Sequence, residues 1–251
     1  MKKAKLGPLA LAGLLREARA GSGDHGPLAV AGAKELVPLL ARELRNGGQA
    51  SAVVEGSVVN AAVLVWVGKA DEERLRAAAR AGIPVVAVSE DVSLPYVLEG
   101  DVVRVPAGQG FPVDEVARAI AGKLGEAGTD LAARLPVLRE PVCEQLITST
   151  ARRNALIGAA VFVPGVDMPI LTLNQARLVL RIALAYGEEV DQARFVELLG
   201  VVGAGFGFRA AARELLDLVP VAGWAMKGGV AYAGTKAIGE AAVRYFAARQ
   251  S

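Results

Sequence analysis

Between Pro27 and about Glu126, short runs of β-branched and small apolar residues alternate with stretches of helical periodicity, and this alternation constrains the fold more than any other feature. Leu28-Ala29-Val30-Ala31 leads into an amphipathic run through Leu44 that stops at Asn46-Gly47-Gly48. Further apolar runs occupy residues 52–54, 62–67, 83–88 and 101–105. Asp71 is placed to cap a helix through Ala81, ended by Gly82, and a last helix opens near Pro112 and reaches about Gly125. Strands alternating with helices at this spacing predict an α/β fold: a mostly parallel sheet with flanking helices on both faces. The runs are continuously apolar, as strands buried on both faces require.

Composition narrows the function classes. The chain has 251 residues, enough for one large domain or two small ones. It is 53% hydrophobic with a mean hydropathy of +0.38, yet only 5% aromatic, so the excess is Ala, Val and Leu. Such a composition suits close-packed helices and buried strands. A net charge of +2 with acids and bases interleaved leaves no footprint for nucleic acid. One cysteine, Cys143, excludes an intramolecular disulfide, and with His25 as the sole histidine neither a zinc site nor a Cys–His pair is expected. At the N-terminus, Met1-Lys2-Lys3-Ala4-Lys5 and the apolar run after it mimic a signal peptide. Pro8, Gly13, Arg16, Glu17 and Arg19 interrupt that pattern, so residues 1–26 read as a helix or leader and secretion is not expected.

In a parallel sheet, ligands sit outside the carboxyl ends of the strands. The candidate rim is Gly32 and Lys34, Glu55 and Ser57, Gly68-Lys69-Ala70-Asp71, Ser89-Glu90-Asp91, and residues 106–110. A phosphate loop needs Gly-x-x-x-x-Gly-Lys-[Ser/Thr], so that backbone amides cradle phosphate while the lysine and hydroxyl complete the site. Here Gly32-Ala33-Lys34-Glu35 runs straight toward a helix, too short for the loop and without the hydroxyl. Gly68-Lys69-Ala70-Asp71 is similar to the guanine-reading Asn-Lys-x-Asp of GTPases but has glycine for the asparagine, and Asp71 equally suits an ordinary N-cap. Gly32, Lys34, Lys69, Asp71, Ser89 and Asp91 therefore form a candidate nucleotide rim without a catalytic constellation around it. No cofactor is expected, with GTP or GDP as the alternative ligand.

From about residue 127 to 251 the pattern is helical. Pro141 opens one helix, which Pro164 stops, and Cys143 on it reads as packing. Arg152-Arg153 reads as a solvated face. Thr172 and Gln175 form a capping box for a helix to about Tyr186, with Asn174, Arg177 and Arg181 as its polar stripe and an apolar surface broad enough for contact on more than one side. Another helix begins at Asp191 and continues into a segment where Gly203 and Gly207 lie four apart. A final helix, residues 221–246, repeats small residues at Gly229, Ala233 and Ala237, with Trp224 and Tyr232 as anchors. Charged residues keep every apolar run short of a bilayer span.

Phe162-Val163-Pro164-Gly165-Val166-Asp167-Met168-Pro169-Ile170-Leu171-Thr172-Leu173-Asn174-Gln175, Gly203-Ala204-Gly205-Phe206-Gly207-Phe208-Arg209 and Trp224-Ala225-Met226-Lys227-Gly228-Gly229-Val230-Ala231-Tyr232 together resemble the YcjF-like domain of unknown function. That family is associated with GTPases and with bacterial inner-membrane proteins, and has no established catalytic residues. The resemblance implies a helical YcjF-like domain over residues 127–251 and, over 27–126, a degenerate GTPase-like α/β domain lacking its P-loop. Gly32-Ala33-Lys34 then stands where the phosphate loop begins and Ser89-Glu90-Asp91 near the base-reading motif. The expected function is a non-enzymatic partner or scaffold protein in the cytoplasm, with peripheral association at the inner face of the plasma membrane open. Its expected partner is a protein, either a GTPase or a second copy bound through the Gly-rich helices. A nucleotide-dependent switch or weak NTP hydrolase, and a lipid-binding or membrane-remodelling helical protein, are the alternatives.

Overall fold

In a computed structural model of the chain, the residues described are 13, 16, 26–91, 93–106, 108–160, 167–189 and 223–250, without the side chains of 167–169 and 223–226. The chain divides into two compact units, Ser22–Val142 and, together with Met1–Gly21, Cys143–Ser251.

The first unit is built on β1 (Leu28–Gly32), α1 (Val37–Arg45), β2 (Val53–Glu55), β3 (Val63–Val67), α2 (Glu72–Arg80), β4 (Val85–Ser89), β5 (Val102–Arg104) and α3 (Val113–Leu124). All five strands are parallel, in the order β2-β1-β3-β4-β5. This is a doubly wound order whose topological switch point lies between β1 and β3.

Successive side chains of a strand point to opposite faces, so each strand feeds two cores. Leu28, Val30, Val63, Val65, Val86 and Val88 are buried on one face. α1 covers that face with Leu40, Ala41 and Leu44, and α3 covers it with Val116, Ala117 and Ile120. On the other face, Ala29, Ala31, Leu64, Trp66, Val85 and Ala87 pack against Leu75 and Ala78 of α2. Among the described residues of this unit α2 is the lone helix there: the β2–β3 and β4–β5 crossovers are non-helical apart from one 3-10 turn, and contribute Val58, Ala61, Leu94 and Val97 instead. At the β2 edge, Arg45 donates to the carbonyl of Val53 (3.3 Å) and pairs with Glu55 (3.3 Å), covering backbone groups that could template further strands.

The sequence placed the end of this domain at residue 126, whereas the compact unit continues to Val142. α4 (Gly128–Arg134) and the 3-10 turn Pro136–Leu138 pack against α3. Arg134 donates to the Gly26 carbonyl (3.1 Å) and accepts at its own carbonyl from the Gln49 amide (2.9 Å). Buried Leu131, Leu135 and Leu138 hold this segment apolar side inward.

The second unit contains most of α5 (Arg139–Ala160), α6 (Asp167–Ala185) and α7 (Gly223–Ala247). Small residues let α5 and α7 approach closely. A Cβ added at Gly158 would lie 3.1 Å from the Lys227 carbonyl oxygen, and one at Gly228 would lie 3.0 Å from that of Ala155. A Cβ at Gly239 would collide with the side chain of Ile147. The packing stripe of α7 is thus Gly228, Ala231, Thr235 and Gly239, offset by one or two residues from the expected Gly229, Ala233 and Ala237, all three of which are exposed. Both sets recur about every four residues, so spacing alone does not select the face.

α6 begins at Asp167, five residues before the expected capping box at Thr172 and Gln175. Pro169 falls in its first turn, where a missing N–H costs nothing, and so starts the helix rather than preceding it. Its burial runs nearly all round, from Asn174 through Tyr186, matching the breadth of the apolar surface. Tyr186 stacks on Phe246 with centroids 6.0 Å apart. The expected Asp191 helix, Gly203, Gly207 and the Trp224 anchor lie outside the described residues or side chains, and Tyr232 is half-buried.

Candidate functional site

The six rim residues all lie at the carboxyl edge of the sheet, and two loops meet at the switch point. The Ala33 amide donates to the Val67 carbonyl (2.8 Å), joining the turn after β1 to the end of β3. This approach requires glycine on both sides. Gly32 has φ +132°, and a Cβ there would strike the Val67 carbonyl oxygen. Gly68 has φ +97°, and its Cβ would come 3.0 Å from that of Ala33. The Gly68 amide in turn donates to the Val88 carbonyl (2.9 Å), linking the edge to β4.

The β1–α1 junction leaves little to cradle an anion. The amides of Leu36 and Val37 both donate to the Ala33 carbonyl (3.0 Å each), and Pro38 has no N–H. A phosphate loop works by presenting a row of such amides to the ligand. Here they close a short turn, so Lys34 projects from it as an exposed side chain.

Asp71 has a structural assignment: its carboxylate accepts from the Arg74 amide (3.1 Å) as the N-cap of α2. Ser89 is buried, and its hydroxyl accepts from the Asp91 amide (3.1 Å), shaping the turn after β4 while the Asp91 side chain stays exposed. Lys34 and Lys69 are exposed and make no ion pair with any described residue. Among the described residues no cluster of His, Cys, Asp or Glu could hold a metal ion. The rim therefore offers two exposed cations, Lys34 and Lys69, over a glycine-lined seam.

Trp66 organises this edge, which sequence reasoning treated only as part of an apolar run. Its indole N–H donates to the Lys69 carbonyl (2.9 Å), and the Arg74 guanidinium lies 5.5 Å from its ring centroid while donating to the Gly56 carbonyl (3.3 Å). The loop carrying Lys69 is thereby tied to β3 and to the segment after β2. A tryptophan one residue before a strand's end, followed by an arginine in the next helix, was the available signal. Further out, Arg76 donates to the Tyr96 hydroxyl (2.9 Å) and pairs with Glu72; the Tyr96 bond first, then Glu72, holds the guanidinium above its ordinary pKa.

A second polar constellation lies inside the helical unit and was not anticipated. Asn154 of α5 donates to the Thr235 hydroxyl of α7 (2.9 Å) and accepts from Asn174 of α6 (2.7 Å). Gln175 also donates to Thr235 (3.1 Å), whose own hydroxyl donates to the Ala231 carbonyl (2.7 Å). The Thr235 oxygen thus uses its one donor and both lone pairs. Asn174, expected on a polar stripe with Arg177 and Arg181, is buried in this network, while both arginines are half-buried. Cys143 is buried and Arg152 and Arg153 are exposed on α5.

An open groove of about 1160 Å³ lies at the opposite, amino end of the strands, lined by Pro27, Asn60, Gly82, Pro84 and Lys123 among others. Lys123 is paired with Asp101, and nothing reactive converges there. Fold and rim together define a doubly wound parallel α/β unit, joined in one chain to a helical unit. No family model, curated protein or solved structure matches the chain. Among the described residues no helix is long and apolar enough to cross a membrane.

Proposed function

We propose that this is a non-enzymatic partner-binding or scaffold protein, combining a GTPase-derived α/β unit that has lost its phosphate loop with a YcjF-like helical unit. The supporting observation is the β1–α1 junction, where the amides of Ala33, Leu36 and Val37 are all committed to backbone carbonyls and Pro38 supplies none. With those donors committed, the charged donors of the rim are Lys34 and Lys69, both of which a surface would hold in solvated form at little gain. The helix cap also engages one carboxylate oxygen of Asp71, the residue that would read a guanine, which supports the same reading. The proposed place of action is the cytoplasm, with peripheral attachment at the inner face of the plasma membrane through a partner or the lipid surface.

The test is calorimetric titration of the full chain with GDP, GTP and ATP in the presence of Mg²⁺, alongside a hydrolysis assay. The expected result is neither binding nor turnover. Micromolar binding that disappears in Lys34→Ala or Lys69→Ala would establish a nucleotide switch instead. Fractionation of host cells with a high-salt wash separates the two locations: release by salt marks electrostatic peripheral attachment, and retention marks attachment through apolar contacts.

A further inference from the structure

We infer that the outer face of α2 is a self-association surface that pairs antiparallel with the same helix of a second copy. Among the described residues of its unit, α2 is the lone helix on its side of the sheet, because the crossovers on either side of it are largely non-helical. Leu75 and Ala78 are fully buried, which fixes the outward ridge on the opposite side of the helix. At about 100° per residue, that ridge is Glu73, Ala77 and Arg80, all exposed. Arg76 beside it is engaged by Glu72 and Tyr96.

The ridge is self-complementary in charge. An acid stands at its amino end, a base two turns later, and the smallest chiral side chain between them. About a two-fold axis near Ala77, antiparallel pairing sets Glu73 of each copy against the partner's Arg80, forming the same ion pair twice. Ala77 lets the helix axes approach at the dyad. A symmetric interface needs this relation: residue i meets j, and j meets i. The flanks supply apolar area that a monomer leaves in water. Val59 is 73% exposed on one side of α2, and Tyr96 and Leu98 are 51% and 71% exposed on the other. A polar ridge between apolar shoulders also fits the charge pairs into partial burial, where they are screened less.

This second copy deepens the partner-binding reading above and rests on it. The experiment is sedimentation velocity on the full chain at low ionic strength, over a concentration series. The wild type is expected to dimerise, and Glu73→Arg and Arg80→Glu each to raise the dissociation constant at least about tenfold, because each turns two attractive pairs into two repulsive ones. Mixed in equal amounts, the two variants are expected to associate as tightly as the wild type: arginine 73 of one then faces glutamate 80 of the other, and the native arginine 80 faces the native glutamate 73. Ala77→Arg, which sets like charges together and adds bulk at the dyad beside Arg76, gives the same loss by a separate route. A monomeric wild type, unchanged dimerisation in both reversal variants, or a mixture no tighter than either variant alone would overturn the inference. A monomeric chain that also binds no nucleotide removes only the second copy as partner, whereas nucleotide binding by a dimer removes the non-enzymatic reading and keeps the interface.

Discussion

The two units solve the problem of a unique interior in opposite ways. Both faces of the sheet are lined by Ala, Val, Leu and one Trp, and its polar groups stand at strand ends. The helical unit buries Asn154, Asn174, Gln175 and Thr235 at the meeting of three helices. The difference follows from where each architecture keeps its specificity. In the sheet the backbone ladder satisfies the buried peptide groups while the two-residue alternation of faces and the connections set register, so apolar side chains suffice. Helices satisfy their backbones internally, and two apolar faces can slide or rotate against one another. A closed set of side-chain hydrogen bonds penalises such sliding, since every wrong register leaves buried donors unpaired.

The comparison can be broken most forcefully at its close approaches. Gly32→Val is expected to cost about 3 kcal/mol or more, combining a strained φ with a collision against the Val67 carbonyl. Hydrogen exchange should show the loss across β1 and β3; protection unchanged there would mean the seam has room the structure denies it. Asn154→Leu is expected to cost about 2–3 kcal/mol in denaturant unfolding, because it strands the amide of Asn174 and an acceptor on Thr235. The sharper version adds Asn174→Leu, Gln175→Leu and Thr235→Val, since Gln175 also donates to Thr235. If the network serves specificity rather than stability, this apolar quadruple variant should recover most of the midpoint while its side-chain NMR signals broaden.

Smaller effects are expected at the rim. Asp71→Ala should cost about 1 kcal/mol through loss of the α2 cap, and Asp71→Asn or Asp71→Ser should restore most of it, whereas a ligand-binding carboxylate would not be rescued by serine. Lys34→Ala and Lys69→Ala should each leave stability within about 0.5 kcal/mol, as exposed side chains without ion-pair partners among the described residues. A larger change at Lys69 would show that its side chain shares in the anchoring that Trp66 gives its backbone.

Much of the sheet unit was legible because its signals are local. Five apolar runs became five strands, Asp71 and Gly82 bounded a helix, and Pro112 preceded the last one, since caps and turn glycines act within a few residues. That Gly32-Ala33-Lys34-Glu35 does not match the phosphate-loop pattern is likewise read from neighbouring residues alone. The helical unit resisted. Thr172 and Gln175 match the capping-box pattern, yet they lie inside a helix that Pro169 had already opened, and the box pattern cannot register a start further upstream. Gly229, Ala233 and Ala237 recur at the right interval on the wrong face. The Trp66 anchor was hidden for a related reason: its partners are a backbone carbonyl and a cation from the next helix.

By itself, the sequence determined the class of the first unit, the parallel arrangement of its strands, the helical character of the second, and the want of a phosphate-binding motif. All of these rest on periodicity, caps and fixed-spacing motifs, which are properties of neighbouring residues. Only the tertiary structure decided the strand order, the meeting of Gly32 with Val67, the face α7 turns inward, the Asn154–Thr235 network and the solitary position of α2. Each of those depends on which distant residues come into contact. Asn154, Asn174 and Thr235 stand far apart in the chain, and their hydrogen bonds become worth forming only once three helices have packed and excluded water around them.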